Sequence, residues 1–250
     1  MNIHEYETMH RVEQGHWWYH GLRSVFRRWM SRHGAGRVLD AGCGTGINLA
    51  LLQQQGYDAV GIDASAEALR FCEQRGVRDV RQAVIQSLPF GDGQFGVIYS
   101  FDVLGILETS DQEESLRECF RCLSPGGTLM LNVAALQWLY SAHDVATHIR
   151  TRFSRRHLCG MLQEAGFEIV FSSYRVFLLF PLIALIKILD RRDPRATLDS
   201  STEGHLEKNS ALINPILIGV MALENWLMRA VSLPLGSSLF VVARKPERIM

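Results

Sequence analysis

The stretch that decides the fold is Val38-Leu39-Asp40-Ala41-Gly42-Cys43-Gly44-Thr45-Gly46, in which a short apolar run ends in a turn dense in glycine. Glycine lets the backbone turn sharply from a strand into a helix and lets a ligand approach it closely. A second apolar run ends at Asp63, whose carboxylate can accept both hydroxyls of a ribose. The turn and the acidic residue together predict a site for a nucleotide-like cofactor.

The spacing of the glycines separates this site from a dinucleotide site. A dinucleotide site carries GxGxxG at this point, whereas the third glycine here, Gly46, comes one residue early. Asp40 also places a carboxylate where it would repel a pyrophosphate. An amine-bearing ligand fits that carboxylate better, and a bare loop between strand and helix is the alternative.

The stretch from Val38 to Gly46 resembles motif I of the class I S-adenosylmethionine-dependent methyltransferases, (V/I)LDxGCGxG, at every position. Leu88-Pro89-Phe90-Gly91-Asp92-Gly93-Gln94-Phe95 is similar to the family's LPFxDxxFD, and Leu123-Ser124-Pro125-Gly126-Gly127 is similar to its LxPGG turn before the fifth strand. Three motifs in the family's order, over about Arg37 to Val133, favour a ligand site over a bare loop.

The resemblance implies S-adenosyl-L-methionine as the cofactor and S-adenosyl-L-homocysteine as the product. In the family, the residue at the Asp40 position lies near the methionine amine, and the glycine turn passes the carboxylate and the ribose. The residue at the Asp63 position holds the ribose hydroxyls. The predicted cofactor contacts are Asp40, Gly42, Cys43, Gly44, Gly46, Asp63, Ala64, Ile85, Ser100 and Phe101.

Apolar runs alternate with helical patterns along the chain, as in a doubly wound α/β sheet. We predict the Rossmann-like, seven-stranded class I methyltransferase fold, with an N-terminal helical lid and a helical insertion before the last strand. Ligands of such sheets lie beyond the carboxyl ends of the strands, which places 40–46, Asp63 and 100–104 around one pocket. The predicted strands are 37–40, 58–62, 80–84, 95–101, 128–133, 168–174 and 238–244, and the predicted helices are 46–55, 66–75, 111–123 and 154–165.

An aromatic cluster, His16-Trp17-Trp18-Tyr19, precedes the sheet and is followed by Arg23 and the basic run Phe26-Arg27-Arg28-Trp29. One interpretation is an amphipathic helix that caps the sheet. The other, which we favour, is a lid over residues 1–35 that closes on cofactor and substrate, with 36–250 as the cofactor-binding domain. The predicted lid and substrate contacts are Trp17, Trp18, Tyr19, Arg23 and, after the fifth strand, Trp138.

The densest polar cluster outside the glycine turn follows the fifth strand. That position commonly supplies substrate contacts and any general base in this fold, and a histidine pKa lies near working pH. We predict His143 as the base, Asp144 as the residue that orients it, and His148 as a substitute. A solvated helix capped by Asp144 is the alternative. The same three residues are chemically able to hold a metal, but no spacing requires one, so no metal is predicted.

Two apolar segments, 177–189 and 212–223, lie in a predicted helical insertion at about 177–233. Neither approaches the roughly 20 residues that span a bilayer. They are typical of two helices joined by a polar loop, 191–210. Packing on the sheet, shelter for an apolar substrate, homodimer formation and peripheral membrane contact beside Lys187 are the interpretations that remain open.

The charges of the chain balance, with 26 basic and 26 acidic residues, so no net field favours nucleic acid as a partner. The first residues lack the features of a secretory signal, and five scattered cysteines indicate reduced thiols. We therefore predict a cytoplasmic protein, with peripheral membrane contact as an open alternative. Cys119 and Cys122 share a helical face, which predicts core packing.

Three residues depart from the family pattern: Val84 replaces the acidic residue of motif II, Gly96 replaces the aspartate of FD, and Gly105 replaces the glutamate of DVLEH. We predict an enzyme of small-molecule biosynthesis that transfers a methyl group to a moderately hydrophobic small molecule, at a hydroxyl in preference to nitrogen or carbon. The departures leave two alternatives: a divergent, cofactor-binding scaffold subunit, and a non-methylating reaction on the same fold.

Overall fold

One mixed sheet of seven strands organises the computed structural model, which describes residues 3–33, 36–190 and 213–247. The strands are β1 (Val38–Ala41), β2 (Ala59–Asp63), β3 (Val80–Gln82), β4 (Phe95–Phe101), β5 (Leu123–Ala134), β6 (Glu168–Arg175) and β7 (Ser238–Arg244). Their order is β3-β2-β1-β4-β5-β7-β6. Strands β1 to β5 pair in parallel, and β7 is antiparallel to both of its neighbours. The predicted fold class is confirmed.

Helices cover both faces of the sheet, and serine caps fix the first residue of two of them. The Ser65 hydroxyl accepts from the Ala68 N–H (3.4 Å), and the Ser154 hydroxyl accepts from the His157 N–H (3.2 Å). The helices are α1 (Ile3–Val12), α2 (Trp17–His33), α3 (Ile47–Gln54), α4 (Ala66–Gln74), α5 (Thr109–Cys122), α6 (Ala142–Ala146), α7 (Arg155–Glu164), α8 (Phe180–Asp190) and α9 (Ile213–Leu227).

Two apolar layers enclose the sheet. One lies between the sheet and helices α5 and α7, and contains Cys119 and Cys122, so the predicted core packing of these cysteines is confirmed. The other lies under α2 and α3, where Phe26 packs against Tyr99 with ring centroids 4.4 Å apart. Helix α2 is thus a covering helix of the sheet along most of its length.

The fifth strand begins earlier than the predicted residue 128. Leu123 already pairs with Phe95, and the ladder resumes at the pair of Thr128 with Val97. The intervening Ser-Pro-Gly-Gly residues bulge out of the strand, helped by Gly126 with φ of 76°. The LxPGG motif therefore forms an irregular start of β5, where the prediction placed a turn before it.

The second helix of the predicted insertion packs on α2. A Cβ on Gly21 would lie 3.1 Å from Met221 Cβ, so the two helix backbones approach closely. The Asn225 side chain donates to the Gly21 carbonyl (2.9 Å), and the Trp17 N–H donates to Asn214 (2.9 Å). The predicted loop 191–210 lies outside the described residues, and none of the helices described is long and apolar enough to cross a membrane.

Candidate functional site

The glycine turn between β1 and α3 adopts a left-handed backbone conformation that favours glycine. Gly42, Gly44 and Gly46 have φ of 95°, 53° and 79°. The N–H groups of Gly42 and Cys43 both donate to the Ile62 carbonyl (2.9 and 2.8 Å), which holds the turn against the end of β2. The turn therefore lies beyond the carboxyl ends of β1 and β2, where a doubly wound sheet binds ligands.

Asp63 ends β2 beside this turn. Its two carboxylate oxygens accept from the N–H groups of Gly44 and Ser65, both at 2.9 Å. Burial raises the Asp63 pKa, and the bonds from Ser65 and Gly44 oppose that rise. The structure thus brings together the two features that the sequence pairs, the glycine turn and the acidic residue.

Asp40 is the buried carboxyl group of the site. It is 3% exposed, and the Tyr99 hydroxyl donates to it at 2.7 Å. Burial raises the Asp40 pKa to about 8, the Tyr99 hydrogen bond lowers it, and the neighbouring carboxylates Asp63 and Glu13 raise it further. A cation placed here would favour the ionised form, so the electrostatics suit a positively charged ligand.

Four other predicted cofactor contacts have their side chains engaged or turned inward. The Ser100 hydroxyl donates to the Ala41 carbonyl (2.6 Å), the Phe101 ring packs edge-on against Phe26 (5.3 Å), and Ile85 is buried in the core. The Cys43 sulfur lies 3.9 Å from the Cys72 sulfur below the turn. Cofactor contacts by these residues, and by the exposed Ala64, stay predictions that fit backbone atoms best.

Helix α1 covers the glycine turn, an arrangement that the sequence did not predict in detail. The buried Glu13 carboxylate accepts from the Thr45 hydroxyl and from Arg75. Arg75 also donates to the Thr45 carbonyl (3.0 Å), so one network ties α1, the turn and α4. A Cβ on Gly44 would lie 2.9 Å from the end of the Met9 side chain. Any cofactor in the turn therefore lies next to α1.

The predicted lid residues have separate roles. Arg23 donates to the carbonyls of Glu13 (2.7 Å) and Gln14 (2.8 Å), so it ties α2 to the connection from α1, and a substrate contact by Arg23 stays a prediction. Burial raises the pKa of Tyr19, and the carboxylates of Glu13 and Asp102 add to the rise. Trp18 packs edge-on against Tyr19. Trp17 and Trp138 are partly exposed, and the edge-on ring neighbour of Trp138 is Phe180.

The predicted catalytic residues lie on the segment after β5. Asp144 is buried, with one oxygen 2.8 Å from Arg152 and the other accepting from the N–H of Ser141 (2.9 Å). Both oxygens are therefore held by the segment itself. His148 is exposed, with φ of 58° and its Nε2 3.9 Å from a carboxylate oxygen of Glu5 in α1. The side chain of His143 lies outside the described part of the structure, and the catalytic assignments stay predictions.

No group of three potential metal ligands occurs among the described residues. Of the departures from the family pattern, Gly105 has a clear structural reason. Its carbonyl accepts from the N–H groups of Arg150 (2.8 Å) and Thr151 (3.0 Å), and a Cβ would lie 2.9 Å from the Thr151 carbonyl oxygen. A glutamate at this position would displace the segment that carries His148.

A family model described as a methyltransferase domain matches residues 16–171. The chain belongs to this methyltransferase family. A probable S-adenosylmethionine-dependent methyltransferase of Mycolicibacterium smegmatis is 27% identical over 65% of the chain, and the match spans 63% of that relative's length, under two thirds of it. The resemblance of motif I to methyltransferases is thereby confirmed.

Solved structures share the fold of this methyltransferase. A methyltransferase from Thermotoga maritima covers 97% of the chain and 95% of its own chain, at 18% identity and a TM-score of 0.60. The [4+2]-cyclase SpnF covers 90% and 80%, at 22% identity and a TM-score of 0.55. At these identities the similarity establishes the fold alone, because one scaffold serves many chemistries.

Proposed function

We propose that the protein is an S-adenosylmethionine-dependent methyltransferase that methylates a hydroxyl of a moderately hydrophobic small molecule. The observation that carries the proposal is the buried Asp40 carboxyl group in β1, next to the glycine turn whose Gly44 N–H donates to Asp63. A ligand with an amine, a sulfonium and two ribose hydroxyls matches these carboxylates in charge and in hydrogen-bonding capacity.

When bound, S-adenosylmethionine supplies a methyl group on a positively charged sulfur, which leaves as a neutral thioether. Methyl transfer to a hydroxyl would form a bond from the acceptor oxygen to the methyl carbon as the sulfur–carbon bond breaks, and it would release the hydroxyl proton to a base or to water. Most of the rate in such a displacement can come from alignment. We expect Trp18 and Tyr19, whose rings pack edge-on against each other, to help exclude water from the bound acceptor.

A turnover assay tests the proposed reaction. The protein is incubated with S-adenosylmethionine and a panel of amphiphilic hydroxy compounds, and S-adenosylhomocysteine and methylated product are measured by mass spectrometry. Equal amounts of the two support the proposal. A product that carries no added methyl group would favour the non-methylating alternative. Cofactor binding without turnover of any acceptor would favour the scaffold subunit.

The predicted general base gives a separate expectation. We expect His143→Ala to lower kcat by about 100-fold with little change in KM, because a general base acts in the transition state. His148→Ala is the matched comparison, since His148 is exposed and lies near Glu5. Measured kcat that is unchanged in both variants would give these residues a structural role.

We further propose that the outer face of α8 and α9 contacts a membrane surface. Among the described side chains of these helices, the large exposed ones are apolar, including Leu182 and Leu185 in α8 and Ile216, Leu223 and Trp226 in α9. Such a face beside basic residues is typical of helices that lie in a lipid interface.

Arginines border this face. Arg28 donates to the Met228 carbonyl (3.3 Å), directly after α9. Burial lowers the pKa of Arg28, and the charges of Arg32 and Arg229 lower it further. Helix α2 contains no acidic residue to balance them. A cluster of this kind repels a second copy of itself and attracts anionic lipid, which favours a membrane surface over a homodimer.

Vesicle co-sedimentation tests the surface. We expect the protein to sediment with phosphatidylcholine vesicles that contain phosphatidylglycerol, and a Leu223→Ser, Trp226→Ser double variant to remain in the supernatant. Val170→Ser, which changes an exposed apolar residue of β6, is the matched control. Equal sedimentation of the double variant and the parent, or a dimer in sedimentation velocity that the double variant abolishes, would contradict the proposal.

A further inference from the structure

A fully buried arginine lies at the carboxyl end of β6. Arg175 is 0% exposed, and its Nη1 donates to Asn132 Oδ1 at 3.0 Å. Its Nε and Nη2 have no hydrogen-bond partner among the residues that the structure describes. These two nitrogens form the edge of a guanidinium that binds a carboxylate through two parallel hydrogen bonds. A buried cationic group with that edge unsatisfied is therefore suited to an anionic ligand.

The arginine belongs to a chain of hydrogen-bonded polar side chains at the carboxyl edge of the sheet. Asn132 in β5 donates to both oxygens of Asp102 (3.0 and 3.2 Å), and Asp102 follows directly after β4. Arg175 reaches Asn132 across β7, which lies between β5 and β6. Because β4 neighbours β1, Asp102 lies at the carboxyl edge of the sheet, where the predicted cofactor site also lies.

The backbone at Asp102 is strained. Its φ is 61°, a left-handed conformation that non-glycine residues rarely adopt, and its N–H donates to the Asn132 carbonyl at 2.8 Å. Such strain persists where surrounding contacts enforce it, and it is concentrated at functional sites. The structure therefore holds Asp102, Asn132 and Arg175 in one arrangement.

Two carboxylates lie near Arg175, and their hydrogen bonding and protonation decide whether Arg175 can bind an anion. The buried Glu224 of α9 accepts from the N–H groups of Val176 (2.6 Å) and Leu178 (3.1 Å), so backbone donors already satisfy it. Burial raises the Asp102 pKa to about 7, although the hydrogen bond from Asn132 and the positive charges of Arg175 and Arg152 lower it. Asp102 can therefore take up a proton near neutral pH when a second anion approaches.

We propose that Arg175 binds a carboxylate of the methyl acceptor through Nε and Nη2, so that the acceptor is an amphiphilic acid with a separate hydroxyl for methylation. Trp18 and Phe177, which pack on the apolar layer under α2, provide surface for its apolar body. This inference rests on the proposed methyl transfer and deepens it by naming the class of substrate.

The test measures binding and does not require turnover. Calorimetry compares decanoate with decanamide, which has the same chain and no charge, in the presence of S-adenosylhomocysteine. We expect decanoate to bind at least about 10-fold more tightly than decanamide, because a charge-assisted bidentate pair is stronger than a neutral hydrogen bond. Equal affinities of the parent protein for the two probes overturn the proposal, whether or not any variant folds.

Variants locate the site. Arg175→Lys keeps the positive charge but loses the two parallel N–H donors of the guanidinium. We therefore expect the preference for decanoate to fall about 10-fold while the affinity for S-adenosylhomocysteine stays unchanged. Arg155→Lys is the matched control, because Arg155 also has a buried Nε without a partner among the described residues. A preference that survives in Arg175→Lys overturns the assignment. Acid binding without methyl transfer to any hydroxy acid would instead refute the proposed function and leave Arg175 as an anion site.

Discussion

Gly42→Ala is expected to destabilise the protein by about 3 kcal/mol and to remove measurable binding of S-adenosylmethionine. Gly42 has φ of 95°, and a Cβ there would lie 2.2 Å from Val103 Cγ2. The left-handed backbone costs roughly 1–2 kcal/mol for alanine, and the collision adds about as much again. To relieve the collision, the turn must shift relative to the segment after β4 that holds Val103, and we expect this shift to distort the predicted cofactor site. Urea unfolding and calorimetry measure the two effects.

Gly56→Ala is the matched control. Gly56 has φ of 85°, but a Cβ there would meet nothing within 4 Å. Only the cost of the left-handed backbone remains, so we expect the free energy of unfolding to fall by about 1 kcal/mol and the cofactor affinity to stay unchanged. Equal effects of the two substitutions on cofactor affinity would contradict the role of the glycine turn.

Asp40→Asn is expected to raise the stability of the ligand-free protein at pH 8 and to weaken S-adenosylmethionine binding by about 100-fold. The folded-state pKa of Asp40 is about 8, against 3.8 for an unperturbed aspartate. A raised carboxyl pKa contributes stability that is present below about pH 4 and is lost as the pH rises through about 8. The asparagine amide does not ionise, so the variant does not lose this stability at high pH. It also lacks the negative charge that a cationic ligand requires.

Thermal melts and calorimetry at pH 5 and pH 8 test both effects. We expect the stability gained by Asp40→Asn to be smaller at pH 5 than at pH 8, because Asp40 ionises above about pH 4 in the unfolded parent but only near pH 8 in the folded parent. The affinity of the parent relative to the variant should also rise over this interval, since a bound cation favours ionised Asp40. The amine of the ligand titrates equally in both proteins, so the ratio isolates Asp40. A ratio that does not change with pH would refute this role.

Local pattern explains how much of the fold and of the cofactor site the sequence predicts. The glycine turn and Asp63 are each predicted from a short apolar run and the residues that follow or end it. Parallel pairing of β1 and β2 then brings the turn and Asp63 together. The core position of Cys119 and Cys122 likewise follows from helical spacing. These features depend on neighbouring residues, so one sequence is enough to predict them.

Contacts between distant residues account for what the sequence does not predict. Glu13 and Arg75 are 62 residues apart, and no periodicity links them. Arg23 donates to the backbone carbonyls of Glu13 and Gln14, and no side-chain pattern in the sequence indicates these contacts. The polar chain of Asp102, Asn132 and Arg175 joins three strand ends, and only the antiparallel placement of β7 brings Arg175 within reach of Asn132.

The central claim, that the turn and Asp63 form a cofactor site, is tested most directly by calorimetric titration with S-adenosylmethionine and S-adenosylhomocysteine. Parent protein and Asp63→Ala are compared with Asp58→Ala, which removes an exposed aspartate paired with Arg37 at 3.5 Å. We predict micromolar binding by the parent and by Asp58→Ala, and binding at least about 10-fold weaker in Asp63→Ala, since hydrogen bonds from both ribose hydroxyls to a charged group are lost. No binding by the parent, or equal affinity in Asp63→Ala, would contradict the account.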